Sequence, residues 1–383
     1  MHSPRRHKLG SVFFTAHYSV NAAELQESKP KNVMPQSSKH VDGLDQLRFF
    51  MALCVTIGHC NLAPDLRGIV TNETLVGFVL RAIAHNVVNG PAAVIVFFVI
   101  SGFCIHLPYR EKTHPIPYFS YFTRRYVRIL APLAVALLLA KPLNLKLALF
   151  QNTILWSLVC EEIYYLLYPL LRVVGSRIGW KTLIAIAFIA AFVVAATNPT
   201  VQDYPSFGWQ LNWLLGLPCW LLGCLLAEGK HEQPVTMPRL LLWRAIALGS
   251  SMSASILCFH SPIKYPFSLN LFAIVAFFWL GQEIAHYRNR APFQVLERAG
   301  KWSYSLYLVH GHAYKAWWFM HLYTLPLILR WPIQLAFILI FSYAFYRLVE
   351  RPTHGLARSL SARLSRSQPL SSKDRQLFVP DSG

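Results

Sequence analysis

Two histidines and a carboxylate, the residue types that move protons, stand inside apolar runs of this 383-residue chain. His59 closes the run Leu44-Asp-Gln-Leu-Arg-Phe-Phe-Met-Ala-Leu-Cys-Val-Thr-Ile-Gly-His59, eleven residues after Arg48. Glu161 and Glu162 interrupt Leu155-Trp-Ser-Leu-Val-Cys-Glu-Glu-Ile-Tyr-Tyr165, and His310 ends Trp302-Ser-Tyr-Ser-Leu-Tyr-Leu-Val-His310. A carboxylate can hold one imidazole tautomer and raise its basicity, and that imidazole can then take a proton from a hydroxyl. The same trio also suits a proton relay in a transporter or a structural polar cluster. Neighbouring helical residues point about 100° apart, so Glu161 and Glu162 cannot both face one site. A metal site is not expected: His59 and Cys60 are adjacent, and no i,i+4 ligand pair shares a partner.

A second set of residues is cationic. Arg124, Arg125 and Arg128 lie in Phe122-Thr-Arg-Arg-Tyr-Val-Arg128, and Arg48 opens its own apolar run. Four guanidinium groups on one face would suit a phosphate-rich ligand such as a coenzyme A thioester. Each alone would serve as an ordinary anchor at the membrane interface. Ser101, beside Gly102 in Phe97-Phe-Val-Ile-Ser-Gly-Phe103, reads as close packing and polar glue, not as a nucleophile. Glu350, between Arg347 and Arg351 and ahead of Pro352, is expected to pair with those arginines where the last helix ends.

The elements that carry these residues must be membrane helices. The chain is 54% hydrophobic and 14% charged, against about 25% charged in an ordinary soluble protein; mean hydropathy is +0.37. An all-α polytopic membrane protein follows. About ten spans are expected, near 46–64, 87–107, 126–141, 153–172, 182–197, 209–227, 239–259, 266–285, 302–321 and 326–348. A short or re-entrant piece is added near 75–86. A helix entering the bilayer at Arg48 would carry His59 roughly 16 Å deeper, near the midplane, where Glu161 and His310 could meet it. Lys and Arg alternate between rich and poor loops, which places both termini in the cytoplasm. The net charge of +19 is dispersed among those loops, so topology explains it and no nucleic-acid partner is expected. The seven cysteines lie in or beside apolar runs without a CxxC pair and read as small buried hydrophobes. Residues 1–42 are expected to form a disordered basic cytoplasmic extension, 43–353 the membrane domain, and 354–383 a basic, Ser-rich cytoplasmic tail, disordered or lying on the membrane surface.

In this order, the segments resemble the acyltransferase family 3 of integral membrane acyltransferases. Its Arg, ten residues and a His match Arg48 and His59; its Phe-Phe-x-x-Ser-Gly-Phe motif matches Phe97 to Phe103. Its Arg-x-x-Arg matches Arg125 and Arg128, and its Leu-Trp-Ser-Leu-Ser-Val-Glu-Glu-Gln-Phe-Tyr element looks like Leu155 to Tyr165, with Glu161 as first Glu. Ser-Tyr-x-x-Tyr-Leu-x-His matches Ser303 to His310, and Tyr-Arg-Leu-Val-Glu-x-Pro matches Tyr346 to Pro352. The chain departs from the pattern in the 26 residues between Arg128 and Leu155, a shortened outer connection, and at Val159, Cys160 and Ile163.

The resemblance implies an O-acyltransferase that moves an acyl group, commonly acetyl from acetyl-CoA, to a hydroxyl of a surface or exported glycan or lipid-linked saccharide. A bacterial inner membrane is the implied home, with membrane lipids as partners. His59 would be general base or acyl carrier, alternatives the sequence leaves open. Glu161 would orient a histidine or deprotonate the acceptor, and His310 would transfer a second proton or steady the oxyanion. Arg48, Arg125 and Arg128 would hold donor phosphates. The rival readings are a glycan or lipid transporter and an inactive membrane scaffold.

Overall fold

The computed structural model describes residues 41–62, 74–111, 116, 118–147, 154–324 and 326–367. The expected N-terminal extension, the end of the C-terminal tail and the middle of the shortened connection lie outside them. Thirteen α-helices and no strand occur among the described residues. They are α1 (Leu44–His59), α2 (Leu75–Asn86), α3 (Gly90–His106), α4 (Tyr118–Ala140), α5 (Trp156–Ile178), α6 (Trp180–Thr197) and α7 (Asn212–Glu228). There follow α8 (Met237–His260), α9 (Tyr265–Tyr287), α10 (Gln294–Gly300), α11 (Ser303–Phe319), α12 (Leu327–Phe345) and α13 (Arg351–Ser367).

Each of the ten expected segments falls on a helix, but among the described residues only five stretches are long and apolar enough to cross a membrane. These are Gly90–Tyr109, Trp180–Thr197, Met237–His260, Tyr265–Tyr287 and Leu329–Ala362. The 23-residue α4 and α5 are long enough; the arginines of one and the glutamates of the other lower their hydropathy. α1 has 16 residues and ends earlier than expected. Asn61 adopts a left-handed conformation with φ 50°, and Leu62 N bonds back to Ile57 O at 2.9 Å. Asparagine tolerates this cap, so the helix stops and His59 is its last residue.

α3 is apolar all round and therefore buried: α1, α5, α7 and α9 pack against it. It meets α7 backbone to backbone. A Cβ on Gly102 would lie 1.9 Å from Trp220 O, and one on Gly223 2.0 Å from Val99 O. That is the close small-residue packing by which helices associate without help from water.

The start of the tail is helical. A five-residue π-turn, Tyr346–Glu350, leads into α13, which stays helical to Ser367. α13 buries Ala357 and Ser361, and the Ser361 and Ser120 hydroxyls bond at 2.6 Å across to α4. Spaced small residues among the arginines give this helix a face to pack, a pattern that composition averages away.

Candidate functional site

The two histidine-bearing helices start together and are pinned at their starts by carboxylates from elsewhere. Glu297 of α10 accepts the N–H groups of Gly43 (3.2 Å) and Gln46 (3.1 Å), capping α1. Glu350 accepts the N–H of Ser305 at 3.1 Å, and the Ser305 hydroxyl as well, capping α11. Acceptors at these positions satisfy donors that a helix start leaves open, and negative charge there suits the helix dipole. The expected pairing of Glu350 with Arg347 and Arg351 is therefore corrected. Glu350 is fully buried, because the π-turn rotates it inward, and His354 Nε2 approaches its other oxygen at 3.4 Å.

Two tyrosines of the Ser303–His310 segment then set the rotation of α11. Tyr304 donates to Ile129 O at 2.9 Å and Tyr307 to Ile154 O at 2.6 Å. The Ser157 hydroxyl in turn donates to the Tyr307 oxygen at 2.7 Å. His310, one turn past Tyr307, faces α1. Its Nε2 lies 3.0 Å from His59 Nδ1.

The partners decide the protons. His310 Nδ1 sits 2.8 Å from Tyr307 O and 3.2 Å from Leu306 O. Carbonyls only accept, so Nδ1 carries the hydrogen and Nε2 of the neutral ring is an acceptor. His59 Nδ1 must then donate, which leaves the lone pair on His59 Nε2. That atom has no partner among the described residues, and the His59 side chain is exposed while His310 is 1% exposed. An accessible imidazole held by a buried one can take up a proton or attack a carbonyl carbon.

Glu161 lies elsewhere. The Ser101 and Tyr165 hydroxyls and the Arg48 and Arg125 guanidinium groups are its polar neighbours. Both nitrogens of His310 and Nδ1 of His59 are already taken. In this structure backbone carbonyls set the tautomers of the pair. Ser101 is a hub, bonded to Tyr165 Oη at 3.0 Å and accepting Trp220 Nε1 at 3.3 Å. Glu162, passed over in the sequence, has both oxygens buried without a hydrogen-bond partner among the described residues, within range of Arg125. Its burial could not be read from a helical position that also looks outward.

Arg48 donates to Asp45 Oδ1 at 2.9 Å and to Cys104 Sγ at 3.1 Å. Arg125 sits 5.9 Å over the Tyr165 ring, and Arg128 has Arg48, Arg125 and Glu350 as electrostatic neighbours. Arg48, Arg125 and Arg128 are thus electrostatic neighbours at the end of α1 away from His59. Arg124 instead reaches Ser361 Oγ at 3.3 Å. All seven cysteines are free, and among the described residues no three His, Cys, Asp or Glu side chains gather as metal ligands.

Replacing Glu350 tests the cap on α11. Glu350→Ala strands a buried amide and hydroxyl, an expected loss of about 2–4 kcal/mol; Glu350→Gln, which keeps an acceptor, should lose less than half of that. Thermal unfolding in detergent measures both. Equal loss would show that the capping bond is not what the carboxylate supplies.

Comparison with known proteins agrees with this architecture. Residues 41–347 match the acyltransferase domain family Acyl_transf_3. The chain is 27% identical over 329 residues to the acyltransferase MdmB of Streptomyces mycarofaciens, covering 72% of this chain and 80% of that protein. No solved structure matches. With the family match spanning most of the chain and apolar helices able to cross a bilayer, the protein belongs to the Acyl_transf_3 family and is an integral membrane acyltransferase.

Proposed function

We propose that the protein moves an acyl group, most simply acetyl, from a cytoplasmic acyl-CoA to a hydroxyl of a glycan or lipid-linked saccharide, in a bacterial inner membrane. The observation that carries this reading is the His59–His310 pair, which leaves an unprotonated Nε2 on the accessible ring. His59 Nε2 takes the acceptor's hydroxyl proton as the alkoxide oxygen bonds to the thioester carbonyl carbon. The C–S bond then breaks, and the proton passes from His59 to the leaving thiolate, giving CoA-SH and the ester. His310 acts through His59, holding its tautomer. Arg48, Arg125 and Arg128 bind donor phosphates. Glu161, beside the Ser101–Tyr165 hydroxyls, deprotonates the acceptor or orients a histidine. The basic loops support ten spans with both termini cytoplasmic, which puts the arginine end of α1 on the donor's side.

Thermal shift of the detergent-purified protein with acetyl-CoA tests the donor half. Wild type and His59→Ala should be stabilised, and Arg125→Ala should need at least about tenfold more ligand for the same shift. No shift of folded wild type with any acyl-CoA would discard the donor reading in favour of transport or an inactive scaffold.

A further inference from the structure

The arginine end of the bundle holds a cavity that the scheme above does not use. It measures about 440 Å³ and lies between the ends of α3, α5 and α7 and the start of α6. Its floor is a closed hydrogen-bond network. Glu228 Oε1 accepts His106 Nε2–H at 2.7 Å and Trp180 Nε1–H at 3.1 Å. His106 is 1% exposed, and its Nδ1 accepts the Tyr168 hydroxyl at 3.0 Å. The network fixes the indole and spends the carboxylate on two donors.

The cavity's remaining charged members are Arg110, Arg172 and Lys181. Arg172 is already poised: its guanidinium lies 5.9 Å over the Tyr109 ring and donates to Glu111 O at 3.1 Å. Among the residues that line the cavity, three cations accompany one carboxylate, a set suited to a phosphate monoester dianion. Leu225 and the Trp180 ring are the large apolar members, too small a bed for lipid tails.

Position narrows the ligand. Arg48 touches Cys104, and His106 follows half a turn later, so the cavity flanks the donor arginines. The Tyr109, Tyr121 and Tyr168 rings, 6.0–6.1 Å apart, stand between it and Tyr165 under Arg125. Arg48 lies about 16 Å along α1 from the level of His59, and the cavity is on the Arg48 side. A thioester at His59 with its pantetheine arm laid past Arg48 would bring the nucleotide end of the donor to this mouth. We infer that the cavity receives the terminal 3′-phosphate of the acyl-CoA, an assignment that rests on the donor reading above. The arginines on α1 and α4 would then hold the diphosphate, and Arg110, Arg172 and Lys181 the monoester.

The test removes the phosphate and its partners in turn. Binding of acetyl-CoA and of 3′-dephospho-acetyl-CoA is measured by calorimetry on full-length protein in phosphatidylcholine nanodiscs. Wild type should prefer acetyl-CoA by about tenfold or more. Arg110→Gln/Lys181→Gln, two exposed positions that leave the core intact, should lose most of that preference; Arg172→Gln provides an independent third variant. Inorganic phosphate should compete more strongly with acetyl-CoA than with the dephospho form. Equal wild-type affinity for both donors, or variants that weaken both alike, would overturn this site and leave the donor reading standing. Folded wild type that binds neither donor would overturn both. Competition by phosphatidylglycerol in the nanodisc, lost in the same variants, would assign the cavity to a lipid headgroup and also overturn it.

Discussion

His59→Ala should abolish most acyl transfer, a fall of about a hundredfold to ten-thousandfold, with little change in folding. The side chain stands exposed at the last residue of α1, so its removal opens no core cavity. It costs the one bond to His310 Nε2. What vanishes is the only nitrogen of the pair with a free lone pair. His310 separates base from support. His310→Ala should lower kcat about tenfold to a hundredfold and leave KM for the donor near its wild-type value. His310→Gln, whose amide oxygen can still accept from His59 Nδ1, should recover part of the loss. Steady-state transfer of labelled acetyl groups in membranes measures all three. Full transfer by folded His59→Ala would remove the imidazole from the mechanism, whether as base or as acyl carrier.

Gly223→Val and Gly102→Val should each prevent a stable fold. At both positions a first side-chain carbon would overlap a carbonyl oxygen of the facing helix, at 2.0 Å and 1.9 Å. The obstacle is backbone, which cannot rotate aside as a flexible side chain does. α3 is enclosed by four helices, so separating it from α7 disturbs every neighbour. A destabilisation of at least about 3 kcal/mol is expected. Size-exclusion profiles and unfolding temperatures in detergent report it. Gly58→Ala is a matched control, because a Cβ there meets nothing within 4 Å. A well-folded Gly223→Val would mean that α3 and α7 pack less closely than described.

The chain alone determined the helical class and the stretches that become helices, and it drew attention to Arg48, Arg125 and Arg128. Those follow from hydrophobic runs and charge positions, which act locally along the sequence. It also singled out His59 and His310, because an imidazole inside an apolar run has no local reason to be there. Tertiary structure decided which partner each polar group takes. Glu161 lies one turn from Ser157, the residue bonded to Tyr307, yet its polar neighbours include Ser101 and Tyr165. Glu350 stands between two arginines in sequence and caps α11 in space, because a π-turn adds a residue that no periodicity announces. His106 and Glu228, 122 positions apart, carried no local signal at all. Pairing across helices depends on the rotation of each about its axis, and that rotation is set by contacts such as Tyr304 with Ile129 and Gly102 with Trp220. Those contacts come into being only when the helices pack.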